Sequence, residues 1–316
     1  MNEAITDGLL RALMTNLRMM TANIGLAALV VLDVPLTIAA IHHGRGPDVS
    51  PTVAASSALS SSPTPASSGA AAPSSGFRRS ALLLSFSSKT AGWRARLGCH
   101  RSSHLAATTD GGRHWSRITS PARHVLRLNQ SSATSGWLIG ANASCVPAFF
   151  STSDGGRTWL TATGLGQAWV VLGRRLRIPS GQLVDPCRKP ERLVGVTVAD
   201  VRTALADCGS GLRVTSDGGT TWRRAGRFDG TGQLAAVALE PAGGGRGVAL
   251  LTGAAGCAGL AVERTNDAGK RWHGGPCISG LGTPAAVALA PDGSGYAASG
   301  AKSAVTVDGG TTWASG

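Results

Sequence analysis

Acidic residues are scarce in this 316-residue chain: 17 Asp and Glu stand against 30 Lys and Arg, a formal net charge of +13. Glycoside hydrolysis needs two positioned carboxylates, so a small acidic set narrows where such chemistry can sit. Aromatics make up only 4%, with a single tyrosine. That leaves few stacking platforms for single-stranded nucleic acid, which is therefore a disfavoured partner. The six cysteines form no CxxC or Cys/His cluster. The usual structural zinc patterns are thereby excluded and no metal site is expected. Gly-x-Ser-x-Gly, phosphate-loop and dinucleotide fingerprints are absent as well, so no cofactor is expected. Long basic runs are also lacking. The positive charge reads as dispersed surface arginine, densest at Arg174, Arg175 and Arg177, the candidate contacts for an acidic partner.

Glycine is plentiful (44 residues) and hydrophobic residues reach 42%, which suits a packed core with many tight turns. The organisation changes along the chain. Residues 1–18 form a short cytoplasmic segment, and 19–41 contain the apolar run Ile24 to Ile41 with Arg11 and Arg18 upstream. Such a run fits a membrane anchor with its start inside and its bulk outside. Asp33 and Pro35 weaken it, and the competing reading is a signal peptide cleaved after Ala40. Either way the remainder is expected outside the cytoplasm, membrane-anchored or secreted. Residues 42–76 are rich in Ser, Pro and Ala and nearly free of charge. They cannot bury enough apolar surface to offset their ordering entropy and read as a disordered tether.

Residues 77–316 carry five copies of one motif, Thr-x-Asp-x-Gly-x-x-Trp, each set by an Asp, a Gly and a Trp. The triplets are Asp110, Gly112 and Trp115; Asp154, Gly156 and Trp159; Asp217, Gly219 and Trp222; Asp267, Gly269 and Trp272; and Asp308, Gly310 and Trp313. A short carboxylate can accept backbone N–H groups just ahead of it, the glycine supplies positive φ, and the tryptophan can pack between sheets. Alternating apolar segments precede each motif, beginning at Ala81, His124, Leu193, Leu234 and Ala285. Four short strands per unit predict an all-β fold, a β-propeller of four-stranded antiparallel blades. Successive motif aspartates lie 44, 63, 50 and 41 residues apart. Five blades fit this spacing best, with six as the alternative. The longest interval holds an insertion, roughly Gly164 to Pro190, read as a long loop or a degenerate extra hairpin. Only three residues follow Trp313, so the last blade needs a very short outer strand or one from elsewhere.

The motif resembles the Asp-box, or bacterial neuraminidase repeat, found in sialidases and in non-catalytic propellers such as photosystem II assembly factors and sortilin-type ectodomains. The resemblance implies a propeller in which these residues are scaffold on the rim, away from the ligand-binding face. For a sialidase it further implies an arginine trio, a Tyr–Glu pair and an acid/base Asp. Here Arg177-Ile178-Pro179 lies after the second motif rather than before the first, and Tyr296 has no Glu nearby. No catalytic residue is assigned. The expected function is a non-catalytic, membrane-tethered, extracytoplasmic propeller that binds or scaffolds a protein or glycan. The alternative is a divergent sialidase or related glycoside hydrolase. Four cysteines recur at nearly the same place ahead of their motifs, which with export points to disulfides; the proposed pairs are Cys99–Cys145, Cys187–Cys208 and Cys257–Cys277.

Overall fold

The computed structural model describes residues 81–99, 102–242 and 244–316. The expected anchor and tether lie outside the described residues. Among the described residues, twenty-three strands form six antiparallel sheets in chain order. Blade 1 is β1 (Leu82–Phe86), β2 (Gly92–Arg96), β3 (Ala106–Thr108) and β4 (Ser116–Arg117). Blade 2 is β5 (His124–Gln130), β6 (Gly136–Ala141), β7 (Pro147–Thr152) and β8 (Leu160–Ala162). Blade 3 has three strands, β9 (Val170–Leu172), β10 (Arg175–Arg177) and β11 (Leu183–Val184). Blade 4 is β12 (Gly195–Val198), β13 (Ala204–Asp207), β14 (Leu212–Thr215) and β15 (Arg223–Arg224). Blade 5 is β16 (Gln233–Leu239), β17 (Gly247–Thr252), β18 (Leu260–Thr265) and β19 (His273–Ile278). Blade 6 is β20 (Ala286–Leu289), β21 (Gly295–Ser299), β22 (Lys302–Thr306) and β23 (Ala314–Ser315). No helix occurs among the described residues, and so none long and apolar enough to cross a membrane.

The innermost strands of successive blades lie side by side at β1–β5, β5–β9, β12–β16 and β16–β20, β9 and β12 share one hydrophobic cluster, and β20 meets β1 to close a ring. The fold is therefore a six-bladed propeller. The favoured count of five is corrected: the segment read as an insertion after Trp159 is a blade of its own. It escaped the motif count because it carries no Thr-x-Asp turn. The last blade's outer strand is the two-residue β23, paired with β22 through Ala304↔Ser315 and Val305↔Ala314.

The motif turns join the third and fourth strands in five blades. In each, the Thr hydroxyl accepts the motif Gly N–H at 2.9–3.0 Å and donates to the Asp carboxylate at 2.7–2.9 Å. The Asp in turn accepts the N–H four residues on. These bonds hold Asp217 at a pKa of about 2, chiefly through the Thr221 hydroxyl and N–H, and Asp308 likewise through Thr312. His114 N–H and ring hold Asp110 well below the usual carboxylate range.

Each motif also wedges against the preceding blade. Trp115 meets Tyr296 of blade 6, Trp159 meets Trp93 of blade 1, and Trp222 meets Trp169 at the start of blade 3. Trp272 packs in a cluster with Leu205 and Val214 of blade 4, and Trp313 against Val248 and Leu250 of blade 5. At Gly219 (φ +89°) a Cβ would sit 2.6 Å from Ile178 Cγ2, so a side chain is excluded both by backbone conformation and by the neighbouring blade. Blade 3 has no such wedge against blade 2. Its place is taken by Ala168, Val170 and Leu172 packing on Ile139 and Phe149.

Candidate functional site

Antiparallel alternation puts every motif turn on one face of the ring, beside the turn between first and second strands. Backbone bonds such as Gly111 N–H to Thr90 O and Gly309 N–H to Gly293 O tie the two turns together. The second-to-third-strand turns lie on the opposite face. That face carries the disulfides Cys99–Cys145, joining blades 1 and 2, and Cys187–Cys208, joining blades 3 and 4. The third, Cys257–Cys277, closes within blade 5. All three expected pairings are present.

Blade 3 runs differently from the rest. At its start, Trp169 Nε1 donates to Asp200 O in the first-to-second-strand turn of blade 4, on the motif face, and Ile178 meets the motif Gly219. At its end, Cys187 meets Cys208 on the cysteine face. β9 therefore rises from motif face to cysteine face, as second strands do. Its leading Ala168-Trp169 matches the Gly92-Trp93, Gly136-Trp137 and Gly295-Tyr296 that open second strands elsewhere. Among the described residues blade 3 consists of second, third and fourth strands and lacks the innermost one.

A cavity of about 570 Å³ fills the centre of the ring and is lined by all six blades. Blade 3 borders it along β9, from Trp169 to Gly173. The other walls are chiefly apolar, among them Leu82, Leu84, Leu126, Val196, Val237 and Val287. On the cysteine face, Leu97 (40% exposed) and Val194 (41%) also line it, and Val146 (57%) adjoins Cys145.

Among the described residues, two ionisable groups stand in the wall, Arg127 and Asp207. Asp207 accepts the Gly209 N–H at 2.9 Å. Arg127 projects from β5 across to blade 3, where Nη1 donates to Trp169 O at 3.0 Å, with the guanidinium 5.3 Å from the Trp137 ring centre. Among the described residues it meets no carboxylate. Burial lowers its pKa to about 10, so it stays charged at neutral pH.

Arg174 lies exposed in the β9–β10 turn, next to the cavity-lining Gly173 on the cysteine face. Arg175 Nη2 donates to Leu183 O at 2.6 Å. Arg177 Nη1 donates to Gly166 O and Ala168 O at 3.0 and 3.1 Å, toward the motif face. The three do not converge. Tyr296 stacks on Phe86 and meets Trp115 edge-on, inside the core between blades 6 and 1. Most other carboxylates pin turns or pair locally: Asp200 accepts Arg202 and Thr203 N–H, Glu263 accepts Asp229 and Gly230 N–H, and Glu240 pairs with Arg246. Sequence reasoning missed Arg127, which sits at an ordinary strand position within the alternating HVLRLN segment. Only the ring makes it central.

No protein-family model matches the chain, and no curated protein is significantly similar to it. Among solved structures it is similar to YCF48 from Cyanidioschyzon merolae, at 17% identity over 75% of this chain and 85% of that one, TM-score 0.43. It is also similar to TolB from Acinetobacter baumannii, at 13% identity over 72% and 63%, TM-score 0.46. A structure of YCF48 bound to D1 peptide matches at 18% identity over 77% and 71%, TM-score 0.30. At such identities and scores, the fold assignment rests on the chain's own sheets and ring order.

Proposed function

We propose that this chain is a non-catalytic binding module: an extracytoplasmic β-propeller of Asp-box type, tethered through residues 19–41, that binds a protein ligand on its cysteine face. The observation that carries this reading is the central cavity. It has apolar walls, exposed Leu97 and Val194 at its edge, and Arg174 beside it. Apolar surface rimmed by charge suits a macromolecular partner. Three disulfides fit the oxidising compartment that export would provide.

A photo-crosslinking residue at Val194 in the full chain, expressed in its own cells, should yield a discrete protein adduct. Arg174→Ala with Arg175→Ala should weaken it, more so as salt rises. An adduct restricted to glycan, or turnover of a fluorogenic sialoside panel by the purified chain, would overturn the proposal in favour of a carbohydrate-directed propeller.

A further inference from the structure

Blade 3 leaves an open sheet edge inside the ring. Among the described residues β9 pairs with β10 alone, through Arg175↔Leu172, Leu176↔Val171 and Arg177↔Val170. The hairpin closes on two residues, so Leu172 and Arg175 form a hydrogen-bonded pair and Val171 and Leu176 do not. The Val171 N–H and C=O therefore point away from β10, toward the cavity. Two residues earlier the same alternation directs Trp169 C=O outward, and there it meets the Arg127 guanidinium rather than a strand. An edge of this kind is a template for another strand.

The edge is bordered by apolar side chains. Val171 packs against the same buried cluster as Val196 and Val198 of blade 4, and Leu172 against the same cluster as Leu126 of blade 2. Arg127, a cation facing no carboxylate among the described residues, stands at the motif end. Arg174 is exposed at the cysteine end. The cavity of about 570 Å³ lies along this edge, and an extended chain laid in it would advance about 3.3 Å per residue.

Building on the binding role, we propose that an extended peptide of a partner protein inserts along β9 as the absent innermost strand of blade 3, bringing a carboxylate to Arg127. Main-chain bonds to Val171 would supply affinity, and alternate apolar side chains would face blades 2 and 4. A peptide antiparallel to β9 runs from cysteine face to motif face, as the innermost strands of the other blades do. It thus enters carboxyl end first. The carboxylate is either a terminal one or that of an Asp or Glu side chain.

The test is selection from a randomised peptide library displayed with free carboxyl ends on the oxidised full chain, followed by fluorescence anisotropy on the enriched peptides. Expected are peptides with alternating apolar residues and a carboxylate, whose affinity falls roughly tenfold to a hundredfold on Arg127→Met. Arg127→Lys should retain part of the binding. Amidation of the peptide end should reproduce the loss if the carboxylate is terminal, and Asp→Asn or Glu→Gln in the peptide if it is a side chain. N-methylation should abolish binding at alternate amides only. Unchanged melting of Arg127→Met separates lost recognition from lost fold. Failure to enrich any peptide overturns strand insertion, as do peptides indifferent to Arg127→Met or to N-methylation. A protein adduct at Val194 together with such a failure would leave the binding role standing and remove only the slot.

Discussion

The fourth motif differs from its siblings in one hydrogen bond, and the difference can be measured. In the other four copies the Trp indole N–H donates to the carbonyl of its own motif glycine, as Trp222 does to Gly219 O at 3.0 Å and Trp115 to Gly112 O at 2.9 Å. Trp272 is 2% exposed and its N–H has no partner among the described residues. The cause lies in the backbone. Gly269 O is taken by Gly226 N–H at 2.8 Å, an approach that only glycine allows because a Cβ at Gly226 would collide with the Lys270 carbonyl. Replacing Trp by Phe removes roughly 50 Å² of ring surface, or about 1–1.5 kcal/mol, plus a small cavity cost. At Trp222 the lost hydrogen bond adds about 1 kcal/mol, for a total near 2. At Trp272 the change also removes a buried unsatisfied donor, a relief of about 1–3 kcal/mol, so the net effect is about zero. The two variants should therefore differ by about 2 kcal/mol, or roughly 4–8 °C in melting temperature for a domain of this size. Calorimetry of Trp222→Phe and Trp272→Phe, with Trp115→Phe siding with the former, checks this. Equal destabilisation at Trp222 and Trp272 would refute the assignment of an orphaned donor.

Other consequences are open to direct measurement. Ala268 holds φ +57° where the other copies have glycine, so Ala268→Gly should stabilise the domain by about 0.5–1 kcal/mol, the left-handed penalty of alanine exceeding the entropy cost of glycine; a fall in melting temperature would contradict this. Asp217 and Asp308 titrate at about 2 when folded, below the roughly 3.9 of an unfolded Asp. Their contribution to stability is present above about pH 4 and lost as pH falls toward 2, so the melting temperature should drop across that window and drop less in Asp217→Asn. Cys187–Cys208 closes a 21-residue separation, and replacing both by serine should cost about 3 kcal/mol, read as a lower denaturation midpoint. Arg127→Met removes a half-buried cation with no facing carboxylate among the described residues and should leave stability unchanged or slightly raised; marked destabilisation would mean that the guanidinium is a structural pin.

Much of the scaffold is legible in the residues alone. The motif carries its own hydrogen-bond logic within eight residues, so Thr108, Asp110 and Gly112 announce a turn wherever they occur. The inner strands of five blades begin within two residues of the apolar segments marked by composition. The same repetition places Cys99, Cys145, Cys208 and Cys257 on one face, and it accounts for the Cys99–Cys145 pair, whereas Cys187 and Cys277 stand outside the repeat. What repetition cannot reveal is the unit that breaks it. Blade 3 has neither motif nor first strand, and its Ala168-Trp169 signal reads as an insertion until Trp169 is seen packed on Trp222.

The sequence by itself determined the blade register, the turn chemistry and the face that holds the disulfides, because each is encoded by contacts between residues near in the chain or at equivalent places in a repeat. Only the tertiary structure decided the number of blades, the open edge of β9 and the central position of Arg127. Those depend on closing the ring, which brings Arg127 to Trp169, 42 residues on, and β20 to β1 from opposite ends of the domain. No local pattern encodes a vacancy that exists only once six blades surround it.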